Sequence, residues 1–228
     1  MASRKQADDP FACLRHVPVF AALSDEEHAA IAAITTARTI RKGAFVYLAG
    51  EPGGTLYVLH KGHVKVARVG SDGREQVVRV IGPGDFLGEL SVFTGEKHAD
   101  QAEATSDVTL CLIEGNRLNA LMQRYGAIAV KVMRALSLRL SEAERLIESI
   151  NQMPVKARLA GALLDLAGDR ERFSLPLTKR DLASLLGMTQ ETLSRSLAAL
   201  QAEGLIRLTG QRSVSLTDRA GLCFLADR

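Results

Sequence analysis

Hydrophobic positions change their spacing along the chain. Between residues 37 and 113, apolar residues alternate with polar ones in short runs that glycines separate. From residue 116 to 150 they recur every three or four positions, and Gly126 is the one glycine there. Further on, helical spacing returns and two short alternating runs follow. This pattern predicts an antiparallel β-sandwich or barrel, a long helix, and a small mixed domain.

The alternating region predicts at least five strands, and a short helix precedes it. Ser24 is placed to cap that helix, and the acidic residues behind it favour a helix N-terminus, so we expect a helix that reaches about residue 34. The predicted strands are 44–48, 55–60, 63–69, 76–81 and 108–113.

The long helix carries a regular apolar series with charges of both signs on either side. Its members advance by four and three, which is the heptad spacing of a two-helix seam. A helix packed on its own domain is the alternative interpretation, but the regularity favours dimerisation. Pro154 ends the helix, because proline lacks a backbone donor and clashes with the preceding turn. The predicted seam comprises Ala129, Met133, Leu136, Leu140, Ala143, Ile147 and Ile150.

Residues 178–204 have the pattern of a helix-turn-helix. The first helix has an apolar face around Leu182 and a small Ala183 where a second helix must approach. Gly187 allows the left-handed turn between the helices, and Thr189 is placed to cap the second one. Two strand-like runs, 204–208 and 213–216, flank a four-residue turn and predict a hairpin beside the second helix. Together these features indicate a winged helix.

The second helix of this motif presents side chains that suit base reading. Leucines at helical spacing face inward, so the polar residues share the outward face. An arginine there can pair with guanine by two hydrogen bonds, and a carboxylate can accept from cytosine. The predicted DNA contacts are Thr189, Gln190, Glu191, Ser194 and Arg195, with Lys179 and Arg180 on the first helix and Arg212 in the wing.

Composition narrows the class of protein only slightly. The 228 residues are 46% hydrophobic and carry a net charge of +3, which is neither evidence for nor against nucleic-acid binding. The chain has no nucleophile elbow, P-loop or His-Glu-x-x-His motif, and Gly82-x-Gly84 has neither the glycine spacing nor the following helix of a dinucleotide loop. We therefore expect no enzyme. The polar first ten residues predict no secretion signal, a cytoplasmic location and no membrane association.

The order of these parts resembles a known family of regulators. A β-roll, a long helix, a proline break and a winged helix, together with the stretch Gly82–Phe93 (GPGDFLGELSVF), are similar to the catabolite activator protein and fumarate and nitrate reduction regulator family (CRP/FNR). The resemblance covers residues 14–218. It implies an α+β fold with a cyclic-nucleotide-binding-like jelly roll at 1–115, a dimerisation helix and hinge at 116–153, and a winged helix-turn-helix at 154–228. It also implies a homodimer that binds double-stranded DNA and contacts RNA polymerase.

Within the family, the recognition helix resembles that of the oxygen- and nitric-oxide-responsive branch. Its pattern Glu-x-x-Ser-Arg is present as Glu191, Ser194 and Arg195. This resemblance predicts an inverted-repeat site close to TTGAY-N4-RTCAA, with half-sites about one helical turn apart. A regulatory module that uses the winged helix for protein contacts is the alternative.

The effector pocket of the family is only partly retained. Its cyclic-nucleotide members have a Gly-Glu pair that meets the ribose and, about ten residues later, an Arg-Ser pair whose arginine meets the phosphate. This chain keeps Gly88 and Glu89, but residues 97–100 read Lys-His-Ala-Asp. The missing arginine and the added acid argue against tight cyclic AMP binding, although Lys97 or His98 could act as a variant phosphate ligand. The predicted pocket residues are Gly88, Glu89, Leu90, Lys97, His98 and Ala99.

Other signals used in this family remain open. Three cysteines without CxxC spacing argue against a disulfide scaffold, a closed zinc site and a four-iron cluster, which needs four ligands. A reversible Cys13–Cys111 disulfide would resemble the family's thiol switches, and a buried, inert Cys111 is the alternative. Haem that binds a gas such as nitric oxide or carbon monoxide is possible, because the resembled branch contains sensors of these gases and five histidines are present, but the histidines are scattered. The sequence thus leaves the effector and any metal unknown.

Overall fold

The computed structural model describes Phe20 and residues 23–226. These residues form two compact units: one takes in the described residues up to Val69 together with Val78–Leu140, and the other takes in Gly70–Val77 and everything from Ser141 onward. No helix in this part of the chain combines the length and the apolar character that crossing a membrane requires.

The amino-terminal half forms a β-roll that helices flank on one side. Helix α1 begins after Ser24, whose hydroxyl accepts from the Glu27 amide, while the Glu27 carboxylate accepts from the Ser24 amide. The elements are α1 (Asp25–Ala32), β1 (Thr35–Ile40), β2 (Phe45–Tyr47), β3 (Thr55–Lys61), β4 (Val64–Val69), β5 (Glu75–Ile81), β6 (Phe86–Leu87), α2 (Glu89–Thr94), β7 (Gln101–Ala104), β8 (Val108–Glu114), α3 (Gly115–Arg124) and α4 (Gly126–Gln152).

Two four-stranded sheets make up the roll. One has the order β1-β8-β3-β6 and the other β2-β7-β4-β5. Strand β8 pairs antiparallel with both β1 and β3, and β7 does so with both β2 and β4. The predicted antiparallel sandwich is therefore confirmed, and each of the five predicted strands is present with ends shifted by no more than one residue.

Several elements of the roll were missed by the sequence pattern. Strand β1 buries only its two end residues, β6 has two residues, and β7 reads QAEA, so none of them shows a long apolar alternation. The expectation that no helix follows Gly82-x-Gly84 was wrong, because α2 begins at Glu89. Gly88 precedes it with a φ of 86°, a left-handed conformation that favours glycine.

The sheet that contains β8 is buried on both faces. Leu59 and Leu110 belong to the core between the two sheets, whereas Cys111 belongs to a second core beneath the helices. Successive residues of a strand point to opposite faces, which explains the two destinations of Leu110 and Cys111. Ile128 and Val132 of α4 join the second core and pack the start of the long helix against the roll.

The second unit contains the predicted winged helix. Pro154 separates α4 from the next helix, as the sequence predicted, and the hairpin β10–β11 is antiparallel. Strand β9, which pairs with β11, and the last helix were not predicted. The elements are α5 (Val155–Ala167), β9 (Arg172–Ser174), α6 (Lys179–Leu185), α7 (Gln190–Ala202), β10 (Ile206–Thr209), β11 (Ser213–Leu216) and α8 (Arg219–Ala226).

Candidate DNA-binding and effector sites

The turn between α6 and α7 is built as the sequence predicted. Gly187 adopts a left-handed φ of 63°, and a Cβ at this position would lie 3.3 Å from Cγ2 of Ile150. The Thr189 hydroxyl accepts from the Thr192 amide at 3.1 Å and so caps α7. Ile150, which was predicted to lie in the dimer seam, therefore packs against the turn and is half-buried.

The recognition helix α7 is anchored by its leucines and presents its polar face to solvent. Leu193, Leu197 and Leu200 are buried. A hydrogen bond of 2.8 Å from the Leu208 amide to Oε1 of Gln201 ties the wing to α7. The exposed face contains Gln190, Glu191, Ser194 and Arg195.

Arg195 and Glu191 are accessible to a ligand. Their side chains are 71% and 80% exposed, and the 3.9 Å between Nη2 and Oε1 is too long for a hydrogen bond. The other predicted contacts lie at the edges of the motif: Arg180 is exposed, whereas Lys179 and Arg212 are half-buried. The backbone carbonyl of Arg212 accepts from the Leu175 amide at 2.8 Å, which holds the wing turn in place.

The long helix α4 has two apolar faces. The face toward the roll carries Ile128 and Val132, whereas Met133, Leu140 and Ile147 of the predicted seam remain 58–62% exposed. Leu136 lies between the two faces and packs partly against the roll. Of the other predicted seam residues, Ala129 is half-buried and Ala143 is exposed.

All six predicted effector-pocket residues line one cavity in the roll. Tyr47, Arg79, Ser91 and Asp100 complete its wall. The cavity measures about 10 Å³, which is room for roughly one water molecule, whereas small-molecule pockets have about 300–1,000 Å³. The cavity is therefore closed by its own side chains.

Glu89 is the centre of a buried charge network at this cavity. Arg79 of β5 reaches its two carboxylate oxygens with distances of 2.8 and 3.3 Å, and Nη1 of Arg139 lies 2.9 Å from Oε1. Arg139 also pairs with Asp85 and stacks over the ring of Phe86, 4.0 Å from its centroid. Burial acts to raise the pKa of Glu89, but the two arginines outweigh it and hold the pKa below its usual value.

The opposite wall of the cavity is closed by Tyr47. Its hydroxyl donates to Oδ1 of Asp100 at 3.0 Å, and its ring stacks on His98 with centroids 3.7 Å apart. Burial, followed by the negative charge of Asp100, raises the pKa of Tyr47, and burial lowers the pKa of His98. Both rings are thus held neutral at pH 7.

Sequence reasoning missed Arg79 and Arg139, although each carried a signal. Arg79 lies two residues from Val77 and from Ile81, both buried, so it occupies an inward position of an alternating strand. Arg139 follows Val132 by seven residues and therefore shares the face of α4 that meets the roll. A charged residue at an inward position marks a buried pair or a site.

The other candidate signals, haem and a thiol switch, depend on histidine and cysteine side chains. His98 packs on Tyr47 beside a cavity of about 10 Å³, which leaves no room for a haem at this histidine. Over Phe20 and residues 23–226, no group of three His, Cys, Asp or Glu side chains is arranged to hold a metal ion. Cys111 is fully buried, and Cys13 lies outside the described residues.

Comparison with known proteins agrees with this architecture. Residues 37–125 match the family model of the cyclic nucleotide-binding domain, and residues 157–225 match that of the Crp-like helix-turn-helix domain. A CRP-like cAMP-activated global transcriptional regulator of Mycobacterium tuberculosis is 32% identical over 202 residues, which cover 84% of this chain and 90% of the relative. The chain belongs to the CRP/FNR family of DNA-binding transcription regulators.

A second relative and a solved structure are also similar to this regulator. The transcriptional activator protein anr of Pseudomonas aeruginosa is 26% identical, covering 83% of this chain and 80% of its own. The solved structure of FixK2 from Bradyrhizobium japonicum aligns with a TM-score of 0.78 and 29% identity, covering 84% of this chain and 97% of that one. The α+β fold, with a β-roll before the helix-turn-helix, is thus that of the family.

Proposed function

We propose that this regulator acts in the cytoplasm as a homodimer that reads an inverted repeat close to TTGAY-N4-RTCAA. The observation that carries the proposal is the exposed face of α7, where Glu191, Ser194 and Arg195 make no strong pair with other described residues of the chain. Arginine pairs with guanine and glutamate with the amine of cytosine, so this face suits the guanine and cytosine of each half-site.

The exposed stripe of α4 supports the proposed homodimer. Met133, Leu140 and Ile147 lie on one side of a 27-residue helix at heptad spacing. A stripe of large apolar residues on a charged helix is typical of the seam of a two-stranded coiled coil, and a second copy of this chain would match its register. Two copies would present two recognition helices to successive major grooves.

A binding selection from random duplexes tests the site. The purified chain should enrich a two-fold repeat with half-sites about one helical turn apart, and affinity for the selected site should fall steeply with salt. Recovery of sequences without two-fold symmetry would overturn the proposed site. If no sequence were bound more tightly than bulk DNA, the winged helix would instead be a protein-contact surface.

The signal that controls the protein is proposed to act on the roll and to differ from cyclic AMP. Support comes from the closed cavity, from the Glu89 carboxylate that two arginines already share, and from Asp100 at the place of the family's Arg-Ser pair. Contact with RNA polymerase is part of the proposal through family membership.

A thiol switch is the second candidate for the signal. The Cys111 thiol is fully buried in the second core, so an oxidant would have to reach this core for a disulfide to form. Thiol labelling before and after oxidation, with DNA affinity measured on the same samples, tests it. Equal labelling of both cysteines in the two states would exclude the switch.

A further inference from the structure

Arg79 lies inside the effector pocket. It projects from β5 between Val77 and Ile81, both buried, and its guanidinium meets the carboxylate of Glu89 with two hydrogen bonds. The side chains of Arg79 and Glu89 are 25% and 11% exposed. A two-point contact between arginine and a carboxylate is among the strongest polar pairs in proteins.

Both carboxylate oxygens of Glu89 already face guanidinium groups. Its Oε1 atom accepts from Arg79 and also lies 2.9 Å from Arg139 of the long helix, while Oε2 accepts from Arg79. The cavity of about 10 Å³ has no room for a ribose beside these side chains, so a ribose hydroxyl that approached Glu89 would have to displace a guanidinium. Hydroxyls make weaker hydrogen bonds to carboxylates than guanidinium groups do, so this exchange is unfavourable.

The phosphate end of the cavity is closed by a separate pair. Asp100 accepts from the Tyr47 hydroxyl, and its negative charge faces the place where a phosphate would bind. Lys97 and His98 line the same wall, but His98 is held in a stack with Tyr47. These contacts leave a cavity of about 10 Å³.

We infer that Arg79 is the residue that keeps cyclic nucleotides out of this roll, because it takes the carboxylate of Glu89 that a ribose would need. Glu89 then serves a different purpose: it connects Arg79 of the roll with Arg139 of α4, so the long helix is held to the roll without a ligand. This inference deepens the signal side of the proposed function. It is tested without DNA, so its failure and a failure of operator reading are separate results.

The experiment compares cyclic AMP binding by the full-length wild type and by Arg79→Ser, using isothermal titration calorimetry with nucleotide up to millimolar concentration. Serine removes the guanidinium and frees Glu89, and we expect heats of binding in Arg79→Ser with an affinity at least tenfold above that of the wild type. Arg74→Ser is the matched control, because Arg74 directly precedes β5 and its side chain is 90% exposed. This control should behave as the wild type does.

Two results would overturn the inference. Micromolar binding of cyclic AMP by the wild type would show that Arg79 does not exclude it. Equal absence of binding in the wild type and in a folded Arg79→Ser would show that the altered residues 97–100 suffice by themselves to exclude cyclic AMP.

A cooperative thermal transition establishes folding of the variant. If Arg79→Ser lacks such a transition, Arg79→Lys replaces it, since lysine keeps the charge but loses the two-point contact. Arg79→Lys should bind more tightly than the wild type, and unchanged binding would count against the inference.

Discussion

Glu89 is a buried carboxylate whose partners in this structure are two arginines. In this chain its carboxylate is buried between two guanidinium groups, with N···O distances of 2.8 and 2.9 Å to Oε1. Removal of one partner from a buried ion pair leaves an uncompensated charge, which costs far more than loss of an exposed pair. The same residue therefore contributes to the stability of the roll.

Glu89→Gln should destabilise the roll at pH 7. The neutral amide leaves Arg79 and Arg139 without their shared anion, and we expect a loss of up to about 3 kcal/mol in the free energy of unfolding. Urea unfolding monitored by circular dichroism measures it. Glu144→Gln, an exposed substitution on α4, is the control and should change stability by less than about 0.5 kcal/mol. Equal stability of the wild type and Glu89→Gln would contradict the network.

The pH dependence of stability follows from the same group. The pKa of Glu89 is lower in the folded than in the unfolded chain, so its contribution is complete above the unfolded value of about 4.3 and is lost as the pH falls through the folded pKa. Wild-type stability should therefore decline at acidic pH more steeply than that of Glu89→Gln. Urea midpoints measured from pH 7 to pH 3 give the comparison, and parallel curves would refute this assignment.

A further prediction at the level of residues concerns Arg195 and DNA. Arg195→Ala should reduce discrimination at one guanine of each half-site by about 1–3 kcal/mol, because alanine cannot make the two hydrogen bonds to the base edge. Fluorescence anisotropy with the selected site and with guanine-substituted probes measures the loss. Arg219→Ala, an exposed change on α8, is the control. A uniform loss for all probes would instead assign Arg195 to the phosphate backbone.

At the level of elements, the turn between α6 and α7 depends on one glycine. Gly187 combines a left-handed backbone with a close neighbour, since a Cβ there would stand 3.3 Å from the Ile150 side chain. The Arg158 guanidinium donates to the Ile150 carbonyl at 2.6 Å, so the end of α4 has a second fixed contact. The end of the long helix is thus held by both its backbone and its side chain.

Gly187→Ala should destabilise the winged helix by about 1–2 kcal/mol, the cost of a left-handed conformation for an L-residue, with a further loss from crowding against Ile150. Gly204→Ala is the matched control, because its φ is 76° and a Cβ at this glycine would have no atom of the described residues within 4 Å. The difference between the two variants measures the crowding. Thermal unfolding of each variant tests this, and Gly187→Ala should cost less when Ile150 is also changed to alanine, which removes all three atoms near the new Cβ.

For the whole molecule, the exposed stripe of α4 predicts assembly. Leu140 and Ile147 are 62% and 60% exposed in the single chain, which is unfavourable for large apolar residues that lie in register on one helix. Leu138 is as exposed at 59%, but it lies away from the heptad series on the opposite side of the helix. The heptad register, and not exposure alone, therefore separates Leu140 and Ile147 from Leu138.

If the stripe forms the proposed dimer, Leu140→Glu with Ile147→Glu should leave a monomer. Light scattering should give the chain mass of 24.6 kDa for this variant and twice that mass for the wild type. Leu138→Glu is the control and should remain dimeric. The monomer should also lose most of its preference for an inverted repeat over a single half-site, and retention of that preference would argue against two-fold recognition.

Local patterns determined much of this protein directly from the sequence. The caps at Ser24 and Thr189, the break at Pro154, the left-handed Gly187 and the inward leucines of α7 depend on residues close in the chain, and each is present as predicted. These features specify the winged helix and its outward polar face. The two-residue β6 and the polar β7 carried too little periodicity to be found.

The closed pocket was decided only by the tertiary structure. Gly88, Glu89 and residues 97–100 marked its place in the sequence, but Arg79 reaches it from a strand and Arg139 from a helix, each distant from Glu89 along the chain. Whether Glu89 receives a ribose or a guanidinium depends on which side chains the folded sheets bring within hydrogen-bonding distance. The pairing of charges across a fold has no local period in the sequence. The sequence by itself therefore predicted where an effector would bind. The packing of β5 and α4 decided that arginine side chains already fill this place.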